Sequence, residues 1–189
     1  DAVYTYFGHT AIRIQDAQNN IDWTFNYGVF SFDQPFFIPK FIKGTTDYEL
    51  GISYTDSFLN IYKQRNSTVF EQTLNLTAEE KQKLWNALML NYKPENRTYR
   101  YNFVFDNCAT RPCTMLSLCC NGDLVYGGVL RKTTYRKLVE EHVGADSWLK
   151  FGIDLLLGAD ADQKIGFCNE ELFLPLYVMQ KIKNAVIVS

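Results

Sequence analysis

Two residues in this chain have the makings of a nucleophile and its base. Cys108 follows a strand-like run and an Asp106-Asn107 turn, and it opens a segment with helical character. A helix N-terminus presents free backbone N–H groups and partial positive charge. Both favour a thiolate, so the position predicts a thiol pKa lowered toward neutrality and donors for an oxyanion. His9 sits in Phe7-Gly8-His9-Thr10-Ala11, near the start of a strand, and it is one of two histidines in the chain. The other, His142, falls near the end of a predicted helix after Glu140 and Glu141, where a surface histidine is ordinary. A cysteine nucleophile needs a base, and the base needs a polar group to orient it. A hairpin turning near residue 18 sets His9 opposite Asn26 or Tyr27. Asn26 is the better orienter, because an amide oxygen can hold an imidazole N–H. Its alternative is an asparagine in a sheet turn or bulge. Arg111 either meets a substrate carbonyl or phosphate, or pairs with Asp106, and the ion pair is favoured.

The elements that must position these groups are read from periodicity. Tyr4–Ile14 and Ile21–Phe32 form a hairpin around Asp16–Asn20. Phe30–Phe41 holds two prolines and five phenylalanines, too much proline for a central strand. Tyr48–Tyr54, Val69–Leu76 and Thr98–Asp106 alternate as strands do. Phe58–Asn66 reads as a short helix. Thr77-Ala-Glu-Glu80 is a capping-box signature, and Leu84, Trp85, Leu88, Met89 and Tyr92 recur at helical spacing, which predicts a helix over 78–92. Helices are also expected over 108–120, 134–143 and 146–157. A polar linker covers 159–169, and 170–188 is expected to be helical with a break near Pro175. The fold class is α+β in one domain spanning 1–189, with 159–189 as a C-terminal helical extension.

Composition excludes several classes. Hydrophobic residues make up 47% and charged residues 21%, the balance of a folded domain. The net charge of −2 marks no nucleic-acid partner. No run approaches the roughly 18–20 apolar residues of a membrane span. The start at Asp1 suggests a trimmed chain, so the lack of a signal pattern says little. The five cysteines, at 108, 113, 119, 120 and 168, match no zinc spacing, and neither a metal site nor a cofactor is expected. An odd count leaves at least one thiol free within the chain. The many aromatics (14 Phe, 12 Tyr, 3 Trp) suit a large core, with an apolar substrate surface as the sharper reading. Phe36-Phe37-Ile38 beside Lys40 and Lys43 poses the same choice between core packing and contact with acyl chains or a membrane.

Phe7-Gly-His-Thr-Ala-Ile-Arg13, Phe25-Asn-Tyr-Gly28, Lys40–Gly44, Asp47–Gly51 and above all Tyr101-Asn-Phe-Val-Phe-Asp-Asn-Cys-Ala-Thr-Arg111 resemble the Lnb-type N-terminal periplasmic domain. Phe151–Gly158 and Phe173-Leu-Pro175 continue the resemblance. It implies a circularly permuted relative of the NlpC-type papain-like fold, with an antiparallel sheet packed on helices and histidine preceding cysteine. It also implies a bacterial lipoprotein acyltransferase, periplasmic and membrane-anchored in its full-length form, acting on a lipoprotein or lipid substrate at a membrane surface. The catalytic residues expected are Cys108, His9 and Asn26, with Arg111, Asn107 and Tyr27 toward substrate. A cell-wall amidase or peptidase, a lipid esterase, and a non-catalytic binding module remain alternatives on the same fold.

Overall fold

The structure is a computed structural model that describes residues 7–30, 46–129, 131–143 and 157–188. Ile12–Asp16 (β1) and Ile21–Val29 (β2) form the expected hairpin, in which Asp16 pairs with Ile21 and Ile12 with Phe25. Asp16 builds the turn itself: its Oδ1 accepts from the amides of Gln18 and Asn19. Asp47–Tyr54 (β3) adds antiparallel to β2, and Thr98–Arg100 (β4) adds antiparallel to β3, giving the sheet order β1-β2-β3-β4. The antiparallel α+β expectation therefore holds.

Side chains alternate across the sheet with period two. Phe25 and Tyr27 of β2, with Tyr48 and Leu50 of β3, enter the core against Leu84 and Leu88 of Ala78–Tyr92 (α2) and Leu116 and Cys119 of Thr110–Cys119 (α3). Burying a Phe or Leu side chain contributes about 1.5–3 kcal/mol. Thr24, Asn26 and Gly28 fall on the opposite face. Thr55–Gln64 (α1) covers part of that face, and a Thr24–Thr55 hydroxyl hydrogen bond of 3.0 Å pins it there.

The capping box at α2 is as expected: the Glu80 amide donates to Thr77 Oγ1, and the Thr77 amide donates to Glu80 Oε2. Glu80 is buried, and its second carboxylate oxygen accepts from the Asn121 amide. Asp123–Val125 (β5), Tyr135–Glu140 (α4), 3-10 turns at Ala159–Asp162 and Cys168–Phe173, Pro175–Ile182 (α5) and Val186–Val188 (β6) complete the described chain. Phe173, Leu174 and Tyr177 join Phe7, Val104, Leu138 and Val139 in a second core, so this C-terminal part packs into the fold.

Four expectations are corrected. Residues 69–76 alternate in sequence but pair with no strand among the described residues, and they form an irregular connection. The strand expected over 98–106 stops at Arg100. Asn102 Oδ1 takes the amides of Val104 and Phe105, and those bonds turn the chain. The helix expected from Cys108 begins at Thr110. The helix expected over 170–188 starts at Pro175, where a missing N–H is harmless, and ends at Ile182. The β-branched Val186–Val188 pairs with β5 instead. The Pro- and Phe-rich stretch with Phe36, Phe37, Lys40 and Lys43 lies outside the described residues, as does the helix expected over 146–157 except Leu157.

Candidate active site

The β1–β2 register, continued past Ile12, sets His9 opposite Gly28, one position beyond the sequence expectation. From there the His9 ring reaches diagonally to Asn26 on the same face, and the Nε2···Oδ1 distance is 2.6 Å. The amide oxygen can only accept, so His9 Nε2 carries the hydrogen and Nδ1 keeps the basic lone pair.

Gly28 makes the meeting possible. It sits at a register shift between Tyr27 and Val29, with φ +149°, a conformation that suits glycine. A Cβ placed there would lie 3.2 Å from His9 Cε1, 3.6 Å from Asn26 Oδ1 and 3.8 Å from Cys108 Cβ. The three groups expected to act together thus gather around the one position on β2 with no side chain to separate them. Gly28 was missed as a site residue, although a glycine inside an aromatic strand signals a bulge or a close approach.

Cys108 lies in the turn that enters α3, two residues before its first helical residue. Asn107 fixes that turn. Its side chain is buried, with Oδ1 accepting the amides of Ala109 and Thr110 and Nδ2 donating to the carbonyls of Phe103 and Phe173. These four bonds occupy the whole carboxamide. Asn107 therefore holds the cysteine turn and has no hydrogen-bonding capacity left for substrate, contrary to the expectation. Tyr27 is corrected in the same way. It is fully buried on the core face, and its hydroxyl donates to Asn91 Oδ1 at 2.6 Å. Arg111 takes its ion-pair alternative: Nε and Nη2 grip the two oxygens of Asp106 at 2.6 and 2.7 Å. The guanidinium also stacks 3.7 Å over the Tyr99 ring.

The electrostatics correct the expected thiolate. Burial pushes the Cys108 thiol up to about 11, against a smaller opposite pull from the backbone N–H groups of Thr10 and of Cys108 itself. Burial likewise holds His9 below 6.5, and the bond to Asn26 draws it partly back. Tyr48 and Tyr101 stack at 4.3 Å beside the cysteine. Burial raises both phenols, and negative charge on Cys108 would raise them further, Tyr48 to about 12. Thiol, imidazole and phenols are all neutral at pH 7.

This predicts a specific pH profile. Alkylation of Cys108 by iodoacetamide follows the thiolate fraction, so its rate rises about tenfold per pH unit above 7 and levels near 11. A plateau beginning below pH 6 would instead reveal a standing ion pair. Stability follows the same two groups. The unfolded chain binds the extra proton at His9 below pH 6.5, so stability falls as pH falls there. The folded chain keeps the Cys108 proton between 9.0 and about 11, so stability also falls as pH rises through that window.

Fold and site together define a mixed α+β protein with a cysteine, a histidine and an asparagine gathered on one face of an antiparallel sheet. The family model for the Lnb N-terminal periplasmic domain matches residues 1–141, and the chain belongs to that family. The family is periplasmic, which supports a periplasmic location. Comparison with curated proteins gives no match, and neither does comparison with solved structures. Among the described residues no helix is long and apolar enough to cross a membrane.

Proposed function

We propose that this domain is a thiol acyltransferase of permuted papain-like, NlpC-type fold. It moves an acyl chain from a lipoprotein diacylglyceryl ester to an N-terminal amine. The observation that carries the reading is the convergence of Cys108, His9 and Asn26 over Gly28. The order His9 before Cys108, with cysteine at a helix entry and histidine beside an antiparallel strand, is what the permuted fold requires.

In this mechanism His9 Nδ1 takes the proton from the Cys108 thiol as sulfur attacks the ester carbonyl. Asn26 holds the imidazolium that forms. The N–H groups of Thr10 and Cys108, which pull the thiol pKa down, serve as donors to the developing oxyanion. The carbon–oxygen bond breaks, the departing alkoxide takes the proton from His9, and a thioester remains on Cys108. The amine then attacks the thioester. His9 accepts the proton lost by nitrogen and returns it to the departing sulfur, which restores the thiol. The donor is a lipid ester, so the domain works at a membrane surface, anchored there in the full-length protein. Residues 1–189 act as one domain.

Intact-mass measurement tests this. Incubation with a diacylglyceryl lipopeptide should add one acyl mass to the protein, removable by hydroxylamine and mapped to Cys108. A peptide with a free N-terminal amine should discharge it as an amide. Discharge to water alone at the same rate would make the domain an esterase. Absence of any acyl adduct would refute the proposal.

A further inference from the structure

An apolar path leaves the His9 ring along α1. Phe58 lies 6.4 Å from His9, centroid to centroid, and Tyr62 lies 5.0 Å beyond Phe58. Phe58, Ile61 and Tyr62 stand at positions i, i+3 and i+4, so they share one face of the helix. Their face lines the same broad, open depression as His9, Asn26 and Cys108.

The connection over 67–76 supplies the outer wall. The Ser67 amide bonds back to the Tyr62 carbonyl, and the chain that follows lines the depression. Glu71 ties it to Arg13 at 2.8 Å, and Gln72 ties it to the Met179 carbonyl at 3.0 Å. Between these anchors and α1 it carries Val69 and Phe70 into the same depression. Ile61 is 47% exposed, Val69 48% and Phe70 69%. Large apolar side chains scattered singly over a surface need no explanation. These share one depression with a nucleophile, and Glu71, the one charged residue of the connection, is paired with Arg13 of β1, which also holds Asp22. On the other side of the cysteine stands the stacked Tyr48–Tyr101 pair.

We infer that this path, from Phe58 past Ile61 and Tyr62 to Val69 and Phe70, binds the long hydrocarbon chain of the donor ester. The inference rests on the acyltransferase reading, because the chain must continue from the carbonyl that Cys108 attacks. A peptide stem or a sugar would find no hydrogen-bond partner on the side chains of Phe58, Ile61, Val69 and Phe70. A hydrocarbon chain needs none.

The test is a chain-length series of p-nitrophenyl esters, from acetyl to hexadecanoyl, on the wild type, Phe70→Asp and Tyr62→Asp. Each methylene that enters the path should raise kcat/KM about fourfold, the equivalent of about 0.8 kcal/mol per buried CH₂. Each variant should cut the hexadecanoyl-to-acetyl ratio by at least about tenfold, since the aspartate charge loses several methylenes' worth of burial. Phe70 is too exposed for its replacement to endanger the fold, and thermal melting checks both variants. A flat profile in the wild type, with acetyl ester turned over through Cys108, overturns the path and leaves the acyltransferase reading standing. An unchanged ratio in both variants does the same. Failure of every ester, acetyl included, to acylate Cys108 overturns both.

Discussion

Cys108→Ala yields no acyl-enzyme and slows ester turnover by about 10⁴-fold or more, while His9→Ala costs about 10³-fold, and the double variant is no slower than Cys108→Ala alone. The non-additivity is the informative part. A base that serves one nucleophile has nothing to do once the nucleophile is gone. The size of the His9 effect follows from the buried thiol. With its pKa near 11, only about one Cys108 in 10⁴ is ionised at pH 7. The site therefore depends on proton transfer during attack more than an ion-paired cysteine would. His9→Ala should recover as pH rises, about tenfold per unit, because solution hydroxide takes over the deprotonation. The measurement is kcat/KM for an activated ester from pH 6 to 10 in all four proteins, with melting temperatures alongside. A His9→Ala rate within tenfold of wild type at pH 7 would remove His9 from the role of base.

How much of this was legible in the sequence depended on whether the deciding contact was local. The helix over 78–92 was readable to its ends, because Thr77 and Glu80 cap each other within one turn and Leu84 and Leu88 mark the buried face. Asn26 was readable as a candidate partner of His9, beside Tyr27, because the hairpin is short and its turn is written in Asp16–Asn20; the contact itself chose between them. The register, and with it the place of Gly28, also needed coordinates. Distant contacts were not readable. Nothing near Asn107 announces that the Phe173 carbonyl, 66 residues later, comes back to take its amide. Val186–Val188 is too short to be distinguished from a helix end until its partner at Asp123–Val125 is known. Val69–Leu76 alternates convincingly, but alternation makes a strand only beside a free ladder edge. The thiol was misjudged for a related reason. The helix-terminus argument uses local sequence, whereas the groups around the buried Cys108 come from Thr10 before β1, Gly28 of β2, Tyr48 of β3 and Tyr101 after β4, which meet only in the folded protein.

Gly28→Ala should lower kcat by about 10- to 100-fold with little change in KM, and the domain should still fold. Two effects combine at this position. The backbone φ of +149° disfavours any side chain, at a cost of about 1–3 kcal/mol. The added methyl would also lie 3.2 Å from His9 Cε1, so the ring must give way by a few tenths of an ångström. The neighbouring Asn26 oxygen and Cys108 Cβ leave it little freedom to do so without loosening the 2.6 Å bond to Asn26 or changing the approach to sulfur. Catalytic geometry is steep enough that a displacement of about 1 Å costs roughly 100-fold. Tyr27→Phe separates this from simple destabilisation. It removes the hydroxyl bond to Asn91 on the core face, one residue along the same strand, and costs about 1 kcal/mol of stability. If the cluster over Gly28 is the catalytic centre, the two variants melt at comparably lowered temperatures but only Gly28→Ala loses kcat. If both keep wild-type kcat, the reaction takes place elsewhere. If both lose it in parallel, strand β2 acts on the site through its stability and the open space above Gly28 has no catalytic role.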